Sequence, residues 1–136
     1  MAYIKEDKKQ LSQLYTTIAN QLISELPENW TNFCLGFFVD TVGREDMLIY
    51  ISDDEGNTWH DFMDDVFDAD EIMIGVFDCK ETCQELRQLC ARFGDKWTRF
   101  TLIVNRLGEF SADYKYEEYD EVTEYYKKMW LGDYID

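Results

Sequence analysis

Groups able to do chemistry are few in this chain, and most of them are carboxylates. The one histidine, His60, stands between Trp59 and Asp61. A general base must be oriented and held within hydrogen-bond reach of its proton, so a lone histidine in a polar stretch reads as a surface residue. No serine occupies a G-x-S-x-G elbow, and neither G-x-G-x-x-G nor G-x-x-x-x-G-K-[ST] occurs. The cysteines are Cys34, Cys79, Cys83 and Cys90. A metal reading would join Cys79 and Cys83, which share a helical face, with Cys90 and His60. That spacing matches no zinc motif, and the last three cysteines lie on an apolar stripe, so they read as buried thiols. A nucleophilic thiol needs an electropositive setting, and this chain supplies the opposite.

The carboxylates offer one further chemistry. Asp61, Asp64, Asp65, Asp68, Asp70 and Glu71 could gather a hard cation. An EF-hand loop starting at Asp64 would put Ala69 where glycine must turn the chain, and Gly75 where a bidentate glutamate must close it, so that pattern fails. A divalent-cation-dependent hydrolase or cation sensor on Asp61–Glu71 remains the alternative function, beside a plain solvated acidic face. Nothing in the sequence calls for a cofactor.

Charge is the stronger signal. The chain has 29 acids against 13 bases, a formal charge of −16. Between Glu45 and Cys79 there are twelve acids and no Lys or Arg. A net charge of about 2 to 8 keeps a small domain dispersed, and excess like charge strains the compact state. A strongly basic partner makes such a field useful. Phosphate repels it, so nucleic acid and anionic membranes are excluded as direct partners. No apolar run approaches the roughly 20 residues that span a bilayer. The opening Met1–Asp7 has no apolar signal segment, so the chain is expected to stay in the cytoplasm.

The elements that must position these groups follow from periodicity. At 136 residues the chain suits one domain. Leu11, Tyr15, Ile18, Leu22 and Leu26 mark an amphipathic helix over 8–26, stopped by Pro27. Phe33–Thr41 and Asp46–Ser52 read as a hairpin about Val42–Glu45. Residues 58–71 admit a short strand followed by an acidic loop, or a short helix near Asp61–Phe67. Ile72, Val76, Cys79, Cys83, Leu86, Cys90 and Phe93 step by four and three along a long helix. It starts near Gly75 or at an Asp78–Glu81 capping box and stops at Gly94. Trp97–Asn105 and Phe110–Tyr116 form a second hairpin. The acidic segment from Glu117 to Trp130 passes into a final helix carrying Val122, Tyr125, Tyr126 and Met129. The fold class is α+β: a single domain with an antiparallel sheet of four to five strands, flanked by an N-terminal, a long middle and a C-terminal helix.

Several runs resemble the YezG-like immunity proteins. Leu14-Tyr15-Thr16-Thr17-Ile18-Ala19-Asn20-Gln21-Leu22-Ile23 followed by Pro27-Glu28-Asn29-Trp30 is similar to that family's first helix and its P-x-x-W turn. Trp97-Thr98-Arg99-Phe100-Thr101-Leu102, Gly108-Glu109-Phe110, Asp113-Tyr114-Lys115-Tyr116-Glu117-Glu118 and Trp130-Leu131-Gly132 resemble its later runs. Lys115 stands where the family carries an acid, and Trp59–Glu71 departs from its pattern. The resemblance implies one immunity domain over 1–136 and no enzyme. It implies a cytosolic antitoxin, encoded beside a secreted toxin, that binds and neutralises that toxin, commonly a nuclease. A nuclease holds polyphosphate in a basic cleft, which the −16 field would meet.

The candidate toxin-binding residues are therefore Asp53, Asp54, Glu55, Trp59, Asp61, Asp64, Asp65, Asp68, Asp70 and Glu71. Glu117, Glu118, Asp120 and Glu121 form a second acidic group. Buried aromatics supply most interface affinity and charge steers the encounter. Phe62, Val66 and Phe67 could equally point into the core. The free chain is expected to be a monomer or a weak homodimer.

Overall fold

The computed structural model describes residues 5–63, 74–118 and 124–135. Its elements are helix α1 (Lys5–Ile23), strands β1 (Asn32–Val39), β2 (Glu45–Ser52) and β3 (His60–Asp61), helix α2 (Ile74–Arg92), strands β4 (Arg99–Asn105) and β5 (Phe110–Lys115), and helix α3 (Glu124–Tyr134). The five strands make one antiparallel sheet in the order β3-β2-β1-β4-β5. This is the α+β architecture that the paired hairpins and three helical stripes imply. The chain forms two compact units, Met1–Pro27 with Ala69–Trp97 and Glu28–Asp68 with Thr98–Asp136.

The first unit packs α1 on α2. Ile18 and Leu22 of α1 are fully buried, as are Cys79, Cys83 and Leu86 of α2, so the two helical stripes form its core. Gly75 sets how close the helices come. A Cβ there would lie 2.5 Å from the Gln21 carbonyl oxygen, so no other residue fits without a shift. Its N–H donates to Glu25 Oε1 at 3.0 Å, and the Thr82 hydroxyl bonds Gln21 Oε1 at 2.9 Å. Glycine therefore serves contact here, not only helix initiation. Because α2 already includes Ile74, Asp78 and Glu81 lie inside the helix and form no capping box. Ile72, offered as the start of the stripe, lies outside the described residues.

α2 stops as the sequence reads, but α1 covers Lys5–Ile23 and ends three residues short of the 8–26 reading. Between Ile23 and Pro27 the chain continues in tighter turns, with Glu25 N–H on the Leu22 carbonyl at 2.9 Å and Leu26 N–H on Ile23 at 3.1 Å. After α2, Gly94 takes a left-handed φ of 81°. Asp95 N–H reaches the Cys90 carbonyl and Gly94 N–H the Ala91 carbonyl, both at 3.0 Å, which is a Schellman stop.

In the second unit β1 is the central strand and is buried on both faces. Phe33, Leu35 and Phe37 have no exposure on one face, nor do Cys34 and Phe38 on the other. The Cys34 face is covered by Trp130 of α3, which meets Phe38 edge-on at 6.2 Å. The Trp130 indole N–H donates to Thr101 Oγ1 at 2.9 Å, so the buried ring keeps its one polar group satisfied. Gly36 makes room for it: a Cβ there would lie 2.7 Å from the ring. Truncating such a buried tryptophan typically costs about 3–5 kcal/mol. Burial pushes the Cys34 thiol up to about 12; all four cysteines are buried thiols outside any disulfide, as the stripe implies for Cys79, Cys83 and Cys90.

Several boundaries differ from the sequence reading. β1 stops at Val39 because Asp40 already belongs to the turn. β4 starts at Arg99, two residues after Trp97, and β5 ends at Lys115. Glu117 and Glu118 are not helical, and α3 runs past Trp130 to Tyr134. Val122, assigned to that helix, lies outside the described residues. Beyond the sheet, Arg99 places its guanidinium 3.6 Å from Asp133 and over the Tyr134 ring, and the Tyr134 hydroxyl donates to Asp113. These contacts tie the end of α3 to β4 and β5.

Candidate functional site

The candidate acids fall into three structural groups. The first is the turn after β2. Ser52, Asp54 and Thr58 are spaced so that one carboxylate closes the turn. Asp54 accepts from the Ser52 hydroxyl at 2.7 Å, from Thr58 N–H at 2.8 Å and from the Thr58 hydroxyl. These bonds, led by the Thr58 hydroxyl, hold the Asp54 carboxyl at about 2. Its oxygens are therefore occupied by the fold. Glu55 takes a left-handed φ of 61°, which places its N–H on Thr31 Oγ1 at 2.8 Å. Its side chain is exposed, and so is that of Asp53, which accepts from Asn29 Nδ2 at 3.4 Å.

The second group lies along β3. Asp61 pairs with Tyr50 of β2, is half-buried, and accepts from Met63 N–H at 3.0 Å. It borders a pocket of about 260 Å³ with Met47, Leu48, Tyr50, Met63, Lys127 and Leu131. Trp59 is half-buried and packs against the Cys34–Phe38–Trp130 cluster, and Phe62 is fully buried. Phe62, which could have been an anchor or core, belongs to the core, whereas Trp59 keeps part of its surface exposed beside it. Asp64, Asp65, Asp68, Asp70 and Glu71 lie outside the described residues, as do Val66 and Phe67. So does the choice between loop and helix for 64–71, while His60 and Asp61 are strand.

The third group follows β5. Glu117 and Glu118 are exposed, and the Glu117 carbonyl accepts from the Thr98 hydroxyl at 2.5 Å. Asp120 and Glu121 are outside the described residues. Strand register separates this group from the first. Ser52 pairs with Asn32 and Asn32 with Asn105, whereas Lys115 pairs with Arg99 and Arg99 with Phe38. Asp53–Glu55 and Glu117–Glu118 thus stand at opposite ends of the sheet and do not converge.

What joins Asp53–Glu55 at their end of the sheet is the β4–β5 turn. Asn105 shapes it, its Oδ1 accepting from Leu107 and Glu109 N–H, both at 3.0 Å. Arg106 turns inward, donating to the Glu28 and Trp30 carbonyls at 2.5 and 2.8 Å and lying over the Trp30 ring. Leu107 is left 85% exposed at the tip. Thr31, Asn32, Glu55, Asn105, Arg106 and Leu107 line a groove of about 430 Å³. The sequence reading treated 106–109 only as a turn. An apolar residue at the tip of an Asn-Arg-Leu-Gly turn is the signal that marks it.

The hairpin turn of β1 and β2 has the same construction as the Asp54 turn. Asp40, with its side chain 1% exposed, accepts from Val42 and Arg44 N–H and from Arg44 Nε at 2.9–3.0 Å. Burial pushes its carboxyl up, but those hydrogen bonds and the guanidinium outweigh it and hold the group below the usual range. Asp46 pairs with Lys127 of α3 at 2.6 Å. Among the described residues no three His, Cys, Asp or Glu side chains gather to hold a metal, and no helix is long and apolar enough to cross a membrane.

Comparison with known proteins gives two findings. The family described as immunity protein YezG-like matches residues 11–134. The chain is also similar to immunity protein YezG of Bacillus spizizenii, 28% identical over 125 residues, which takes in 82% of this chain and 72% of that protein.

Proposed function

The chain belongs to the YezG-like immunity protein family, and on that premise we propose that it is a cytoplasmic antitoxin that neutralises a cognate toxin domain by binding it. The observation that carries the reading is the family match over 11–134. The charge of −16 supports a partner with a basic protein surface, as on a nuclease built to hold polyphosphate. In this reading the chain has no catalytic role and no cofactor. Its acidic field raises the association rate by about 10- to 10³-fold, and a desolvated apolar contact supplies the affinity.

The test is direct. The C-terminal domain of the toxin encoded beside this chain is assayed on nucleic acid with and without one equivalent of the chain. Stoichiometric inhibition that weakens in salt is expected. A nuclease that runs undiminished with excess chain present sinks the proposal. Inhibition of a toxin domain that is not a nuclease removes only the nuclease part.

A further inference from the structure

Helix α2 turns a second face to solvent. Ile74, Phe77, Asp78, Glu81, Glu85 and Gln88 recur on that face, opposite the buried stripe, and all six are exposed. Ile74 is 63% exposed and Phe77 65%. A phenylalanine there adds little to the core, and aromatics are poorer helix formers than straight-chain residues. Local structure therefore gives no reason for it. Asp78, Glu81 and Glu85 take part in none of the ion pairs among the described residues. Two to three turns on from Phe77, Glu85 and Gln88 wall a groove of about 310 Å³ that Gln10 and Leu14 of α1, Leu89 and the exposed Arg92 also line. One helix face thus carries an exposed aromatic, three acids that enter no ion pair among the described residues, one arginine and a partly apolar groove.

We infer that this face of α2 is the surface that docks the toxin, with Phe77 and Ile74 as apolar anchors and Asp78, Glu81 and Glu85 facing a basic surface. The inference rests on the reading of the chain as a toxin-binding immunity protein and names the surface used. Charge selects the occupant. A second copy docked through the same face about a two-fold axis would set three acids and one arginine against the same three acids and one arginine, a net like-charge contact. Nucleic acid and anionic lipid are repelled as well. A basic protein surface with an apolar pocket matches both components. Acids elsewhere, such as Asp53 and Glu55, then act on encounter more than on the bound state.

The experiment uses the full chain and the toxin domain encoded beside it, inactivated by substitution, with affinity read by calorimetry and rates by stopped flow. Phe77→Ala is expected to raise Kd by at least about 30-fold, the size of an interface hot spot. Its unfolding midpoint should match wild type, because Phe77 lies outside the core. Asp78→Lys with Glu81→Lys is expected to slow association about tenfold at low salt. Asp53→Lys with Glu55→Lys should change Kd less than about threefold. If wild type binds and Phe77→Ala binds within about twofold of it, this surface is wrong and the immunity reading stands. A loss in the Asp53/Glu55 pair exceeding that of Phe77→Ala overturns it equally. If the wild-type chain does not bind the toxin domain, the immunity reading falls and this surface with it.

Discussion

Asp40 and Asp54 differ from Asp78, Glu81 and Glu85 in everything but charge. The first two end strands, and each folds back on backbone N–H groups within four residues. The other three lie along the open face of a helix, where the backbone N–H groups are already used within the helix. A carboxylate consumed by a turn holds the fold together and is withdrawn from any partner. A carboxylate left on a helix face contributes field alone. The acid-rich composition therefore contains two populations, carboxylates spent on turns and carboxylates left to solvent, and only the second can meet a partner.

That division can be broken by substitution. Asp40→Ala should give the largest loss of stability in the set, read as a fall in the urea midpoint, because three hydrogen bonds, one of them the Arg44 ion pair, vanish from a nearly sealed site. Next comes Asn105→Ala, which removes the same kind of turn closure from an uncharged residue and should cost about 1–2 kcal/mol. Asp54→Asn should cost less at neutral pH but carry a pH signature. The folded carboxyl sits at about 2, below the ordinary 3.8, so its contribution is present above the ordinary value and lost as pH falls toward 2. The gap between wild type and Asp54→Asn should close over that interval, whereas the Asn105→Ala gap should not move with Asp54. A gap that stays constant down to pH 2 would show that the Asp54 charge plays no part. Smallest of all, Glu81→Gln should leave stability within about 0.5 kcal/mol of wild type. A larger loss would place Glu81 in the first population.

The fold was legible where a period or a punctuating residue acts locally. The α1 stripe with Pro27, the α2 stripe with Gly94 and the two hairpins all appear where those signals stand. Tertiary contact explains the misses. Gly75 read only as a place for α2 to start, yet it is the residue that lets α2 approach Gln21. Asp78 and Glu81 have capping-box spacing, but the helix already includes Ile74. β3 amounts to two residues because it exists only as a partner for Tyr50 and Ile51. The candidate site was legible as charge but not as geometry. Nothing in Asp53-Asp54-Glu55 itself says that the middle acid is spent on Thr58 while its neighbours face solvent. Phe77 was hidden for a related reason: in a sequence, an aromatic beside a buried stripe cannot be told from one within it until the helix is packed.

Gly36 and Trp130 lie 94 positions apart in the chain, yet they act as one character in its history. The indole ring occupies the volume that any side chain at position 36 would need. A lineage that gains a side chain there must first, or at once, shrink the residue at position 130. Sequences of relatives should therefore show the two sites changing together or not at all, and a relative with bulk at both would place its last helix elsewhere.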